Sequence, residues 1–294
     1  MHTATSHESI GNRTHFDEAD IAALILDDVF PLGHGYQDQS HSVLWQRYAD
    51  SEEGGSYQAT QPLRFSAEYG YDPDLMRRDF GRDVDPLGHM DDVHNILTKL
   101  LLVELQTRHS LGSIAISDIP FCRFTAQTHD VGENTHTQYG GGVGDIPFGK
   151  KTPEKREIEQ DVRMQIAIRY WPDLPVELLT RVDSLIMHTP QTAEAMAAYE
   201  AVEGAHRLGV YTTGILGGRA GVAILRDLEA RGQDRNALPE TEQLRLTQLI
   251  RLSQDVTTSM QPLVEEVSSR FIYGEMLLKL FEPDLLVIRK DLTA

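Results

Sequence analysis

The sequence predicts an all-α fold, and three observations carry that prediction. Apolar residues from Met90 onward recur at intervals of three and four, the spacing of one helix face. No stretch alternates apolar and polar residues convincingly enough to demand a strand. Pro31, Pro153 and Pro172 and several Gly-rich runs stand where such helices would start or stop.

Taken in order, residues 1–16 are polar, rich in His, Thr and Ser and without periodicity, and read as a mobile tail. Residues 17–88 form an irregular, partly helical N-terminal extension. Asp17 or Asp20 can cap a short helix carrying Ile21, Leu24, Ile25 and Val29, which Pro31 and Gly33 end; short helices and loops are expected after it. From Met90, Val93, Ile96, Leu97, Leu100, Leu101 and Leu105 mark an amphipathic helix of about 20 residues. A second helix is expected from about Asp118, with Pro120 in its first turn, to about Glu133. A Gly-rich loop over 139–153 leads to a helix from Pro153 to the break at Pro172. Helices over about 175–188 and 191–213 follow. The run GILGGRAG reads as a break, and 219–283 as two or three further helices. The expected organisation is a helical core over 89–213 with C-terminal helices over 219–294 packed on it. Leu244, Leu246, Leu249, Ile250 and Leu252 form a broad apolar face that suits such packing or a homo-oligomer interface.

Composition narrows the function. Against 45 Asp and Glu stand 27 Lys and Arg, a formal charge of −18, so a clamp on a nucleic-acid polymer, which needs basic patches, is not expected. The chain holds 1 cysteine, Cys122, which excludes an intrachain disulfide framework and a Cys-based zinc site and suits a reducing cytoplasm. The N-terminal residues lack the apolar core of a signal peptide, and runs such as Leu100 to Val103 fall far short of the ~20 residues of a membrane span, so no membrane association is expected.

The sharpest chemical feature is His129–Asp130 at the end of the second core helix, followed by Glu133. Adjacent His and Asp offer an imidazole nitrogen and a carboxylate oxygen to one point, a donor set for Zn, Mn, Fe or Co; elsewhere such a doublet is an ordinary surface pair. His94 shares a helix face with Leu97 and Leu101 and so points inward, either to a backbone carbonyl or to a ligand. His129 lies 35 residues later, about the length of a helix, a connection and an antiparallel return. Two inward histidines can then meet across the pair.

One His, then a His-Asp doublet, then a distant acidic residue resembles the signature of the HD-domain metal-dependent phosphohydrolases. The chain is most similar to their bacterial 5′-deoxynucleotidase branch: 129-HDVGEN-134 carries a Glu four residues after the His, and 144-GDIP-147 precedes a charged helix, EKREIEQDV. The similarity covers about residues 90–212 and implies an HD-domain-like helical bundle. Carried over, it makes His94, His129 and Asp130 ligands of a divalent metal (Mn, Co, Fe, Zn or Mg). Glu133 becomes the acid/base residue and Asp145 a second catalytic-site carboxylate. The fourth ligand, Asp in the family, falls on His206, with Glu203 and Asp183 as alternatives. The implied activity is hydrolysis of a phosphate ester in a small phosphorylated molecule, a nucleotide as first guess. Arg78, Arg82, Lys150, Lys151 and Arg207 could hold its phosphate or be solvated surface charges. The stretch 140-GGGVG-144 is a connector or a lid, and Trp45, Tyr139, Tyr170 and Trp171 could stack on a base or simply pack.

Two other readings stay open. A two-metal HD protein, a diesterase or di-iron oxygenase, would recruit further histidines from His136, His188 and His206. A nucleotide-binding or regulatory protein would keep the scaffold without turnover, consistent with His in place of the family's Asp.

Overall fold

Helices fill the computed structural model, which describes residues 41–60, 86–108, 110–115, 118–134, 152–172, 174–187 and 189–293, and these contain no strand. All of them belong to one compact unit, Ser40–Ala294. In chain order the helices are α1 (His41–Ala49), α2 (Glu52–Thr60), α3 (Pro86–Arg108), α4 (Ile119–Thr128), α5 (Pro153–Tyr170), α6 (Val176–Ile186), α7 (Ala193–Ala230), α8 (Glu240–Arg270) and α9 (Ile272–Thr293). One 3-10 turn, Val131–Glu133, follows α4 and another, Arg235–Ala237, precedes α8. The expected helix near residues 20–30 and the 139–151 loop lie outside the described residues.

Local chemistry fixes the ends. Thr152 caps α5, its hydroxyl accepting from the Lys155 N–H at 3.2 Å, and Pro153 takes the first turn where its missing N–H costs nothing. Thr192 caps α7 in the same way, through the Ala195 N–H at 3.1 Å. Glu104 of α3 accepts from the backbone N–H of Ile272, which ties α3 to the start of α9. Pro262 and Pro283 sit inside α8 and α9 on exposed positions, where the carbonyls they leave without a helical partner can reach water.

The 38-residue α7 is the central element and touches α3, α4, α6, α8 and α9. It runs straight through GILGGRAG, so the break expected there is absent. The glycines serve approach rather than interruption. A Cβ on Gly214 would stand 2.7 Å from Val256 Cγ1, and one on Gly218 would stand 2.6 Å from Ser253 Oγ and overlap Ile288. Close burial against α8 and α9 therefore outweighs the roughly 1 kcal/mol that each mid-helix Gly costs. One stretch of α7 is long and apolar enough to span a membrane, but 61% of that stretch is buried among other helices, as in a core helix. The apolar face of α8 foreseen in the sequence is used inside the chain: Leu246, Leu249 and Leu252 are buried, while Leu244 is exposed.

Candidate metal centre

Three histidines from three helices meet beside the end of α4. His89 comes from the first turn of α3, His129 is the C-cap of α4, and His206 lies one third along α7. Each can offer one nitrogen, and these atoms lie within 4.8 Å of one another. Ring centroids are 5.3 Å apart for His89 and His129, 5.3 Å for His89 and His206, and 5.0 Å for His129 and His206. Asp130 joins them: its Oδ2 is 3.1 Å from His129 Nε2 and 3.6 Å from His89 Nε2. The His89 side chain is 4% exposed and that of His206 27%, so the cluster is closed on the α3 side and opens to solvent beside α7.

The orientation of His129 decides what this arrangement can do. Its Nδ1 is 2.7 Å from the Ala126 carbonyl, which can only accept, so Nδ1 carries the hydrogen. In the neutral ring Nε2 then presents a lone pair. That atom is buried, makes no hydrogen bond and faces a carboxylate oxygen. Two lone-pair atoms at this distance repel unless a cation lies between them. A ligating histidine characteristically donates its other N–H to a backbone carbonyl, as His129 does. Spacing agrees: imidazoles bound tetrahedrally at ~2.1 Å place ring centroids about 5.2 Å and donor atoms about 3.4 Å apart. The donor set of His89, His129, His206 and Asp130 could hold a metal ion.

His94 is not part of the cluster. Five residues separate it from His89, about 140° around the helix, so the two rings leave α3 on different sides. Its Nε2 accepts a hydrogen bond from Nε of buried Arg123 at 2.9 Å. It is a core histidine bonded to a side chain. The sequence could not choose between the two because α3 is buried on nearly every side: His89 is followed at helical spacing by Val93, Ile96 and Leu100, as buried as the Leu97 and Leu101 that follow His94.

The remaining candidates separate cleanly. Asp183 accepts from Arg163 Nη2 at 2.7 Å and Nε at 3.1 Å and from Gln160 at 2.5 Å, so it anchors α6 to α5 instead of joining the cluster. Glu203 lies beside the cluster, 3.8 Å from His206 Nδ1, and accepts from Arg207 Nε at 3.1 Å. Arg207 also reaches Glu266 at 3.1 Å, so this cation ties α7 to α8 rather than standing ready for phosphate. Trp45 and Trp171 are buried among aromatic rings, and Trp171 donates to the Leu44 carbonyl at 2.6 Å, which makes packing their role. Tyr170 packs edge-on against Tyr48. Cys122 is buried and its thiol is pushed up to about 12 by that burial, so it is no thiolate ligand. Arg78, Arg82, His136, Tyr139, Asp145, Lys150, Lys151 and His188 lie outside the described residues.

Compared with protein-family profiles, with curated proteins and with solved structures, the chain has no match in any of the three.

Glu133 lies on the 3-10 turn three residues past Asp130, buried, with Lys155 Nζ 4.0 Å from its Oε1. Lys155 is in turn 3.3 Å from Glu159 Oε1, and all three side chains are at most 4% exposed. A turn of this kind needs outside support, which α1 and α2 provide. Tyr57 donates from its hydroxyl to the Asp130 carbonyl at 3.0 Å, and Tyr48 accepts from Asn134 Nδ2 at 2.9 Å. The hairpin of α1 and α2 thus holds both ends of the turn that carries Asp130 and Glu133. Gly132, between them, lies so close to α5 that a Cβ would stand 2.7 Å from Arg163 Nη1. Sequence reasoning missed His89, Tyr57 and Lys155; only His89 left a trace, as a second histidine in PLGHMDDVH.

Proposed function

We propose that this chain is a metal-dependent phosphohydrolase acting on a small phosphorylated molecule, with a nucleotide as the first substrate to test. One observation carries the reading: His129, its Nδ1 held at the Ala126 carbonyl, turns its Nε2 to Asp130 within a ring completed by His89 and His206. The resemblance to the HD-domain hydrolases, read from His129-Asp130, Glu133 and Gly144-Asp145, supplies the reaction class.

In this account His89, His129, His206 and Asp130 hold one divalent ion. Three imidazoles to one carboxylate favour Zn, Fe, Co or Mn over Mg. Such an ion, when bound, lowers the pKa of water towards ~7 and draws charge from a phosphoryl oxygen. Glu133 takes the proton of the attacking water on its carboxylate and returns it to the leaving oxygen. Lys155 lies 4.0 Å from that carboxylate, and the Tyr57 hydrogen bond holds the turn on which it sits. His206, at the exposed edge of the cluster, marks the side from which substrate enters.

The test is a phosphatase screen over nucleoside mono-, di- and triphosphates with the protein loaded with Mn, Co, Zn or Fe. Release of phosphate that disappears in Asp130→Asn is the expected result. Glu133→Gln should bind metal as the wild type does and lose turnover by roughly a hundredfold or more; retained turnover refutes its role. A loaded protein that hydrolyses none of these substrates refutes the nucleotidase reading, and two ions per chain would redirect the search to diesterase or oxygenase chemistry.

A further inference from the structure

The last helix carries an apolar stripe whose middle is exposed and whose ends, Ile272 and Val287, are half-buried, Val287 packing against the core. On α9, Ile272, Met276, Leu280, Pro283 and Val287 follow one another at steps of four, four, three and four, which aligns them along one side. Met276 is 54% and Leu280 66% exposed, and Pro283 is exposed as well. The opposite side of the helix is the one in the core, through Leu277, Phe281, Leu285 and Ile288.

We propose that this stripe is a homodimer interface in which α9 packs antiparallel against α9 of a second copy, crossing at Leu280. The stripe is its own complement. About a two-fold axis at Leu280, Met276 comes within one residue, about 1.5 Å along the helix, of Pro283 of the second copy, and Ile272 equally close to Val287 of the second copy. Charge follows the same symmetry. Lys279 and Glu282 flank the stripe on one side, and the axis brings Lys279 of each copy within one residue, about 1.5 Å along the helix, of Glu282 of the other. Lys279 now pairs with Glu275 at 2.5 Å on an exposed surface and can exchange that weak partner. The helix has four acidic and three basic residues, a net of −1 in a chain of −18, so two copies meet here without the repulsion carried elsewhere. A seam of about 22 Å along a single helix is short, so the dimer is expected to be weak and reversible.

Sedimentation equilibrium of the full chain over a wide concentration range tests this. The expected result is a 33.0 kDa monomer passing reversibly to a dimer. Met276→Lys with Leu280→Lys should raise the dissociation constant roughly tenfold or more with helical content unchanged, while Leu244→Lys, an exposed apolar position on α8, should not. Lys279→Glu and Glu282→Lys should each weaken the dimer, and the two together should restore it. Leu280→Cys should crosslink to itself on oxidation. A chain that stays monomeric throughout overturns the proposal, whether another protein or only water covers the stripe. A dimer indifferent to the Lys substitutions, or a charge reversal that does not restore it, overturns it equally.

Discussion

The two halves of the molecule bury different things. From α2 to α5 the buried residues include Glu53, Glu104, Arg123, Glu133, Lys155, Glu159 and Arg163, with His89 and His94. Beyond α5 the buried polar residues among those described are Thr213, Gln248, Ser253 and Thr257, and none of these is charged. The second half is a core of the ordinary kind, close-packed carbon in which the Thr213 and Thr257 hydroxyls return to the helix backbone. The first half holds ions where apolar side chains of equal volume would commonly be as stable or more so. α7 belongs to both halves, since it supplies His206 to one and Gly214 and Gly218 to the other.

The largest way to break this contrast is to remove a cation that lies between two buried carboxylates. Lys155→Met takes the ammonium away from buried Glu133 and Glu159 and should lower unfolding free energy in urea by about 3–5 kcal/mol; a loss below ~1 kcal/mol would mean that the triad is solvated and the contrast is weaker than it looks. In the apolar half the matching lesion is steric. Gly218→Ala drives a methyl into Ile288 and Ser253, with an expected loss of about 1–3 kcal/mol that Ile288→Ala should partly relieve in the double variant. The smallest change sharpens the link between halves of the site itself. Tyr57→Phe removes one hydrogen bond to the Asp130 carbonyl, worth about 1 kcal/mol in stability. If the hairpin positions the turn, calorimetric titration with Zn or Mn should also show roughly tenfold weaker binding; unchanged affinity at reduced stability would make the contact structural only.

Much of the fold was legible and the site was legible in part, for the same reason. The helical period survives wherever one face is apolar, so α3, α5 and α6 stand close to their expected bounds, and the doublet His129-Asp130 announces itself because two donors are adjacent in sequence. What failed were judgements that depend on partners distant in the chain. GILGGRAG reads as a break until Val256, Ser253 and Ile288 are seen pressed against its glycines. His94 reads as a ligand because it shares a face with leucines, yet His89, five residues earlier and on another side of α3, has an equally apolar setting, and the position of Arg123 tells them apart. His206, marked by its place in the late helix, does come to the cluster, whereas Asp183 was claimed by Arg163 and Gln160 in a way that spacing does not reveal.

The central claim is that His89, with His129 and His206, holds a metal ion, and that His94 does not. Elemental analysis of the protein purified without chelator, beside His89→Gln and His94→Gln, tests it with one substitution at two equally buried positions. The account predicts about one ion per chain in the wild type and in His94→Gln, whose amide can still accept from Arg123, and none in His89→Gln. Metal lost from His94→Gln but kept by His89→Gln would contradict it, as would a wild type that binds no ion after incubation with Mn, Co, Fe or Zn.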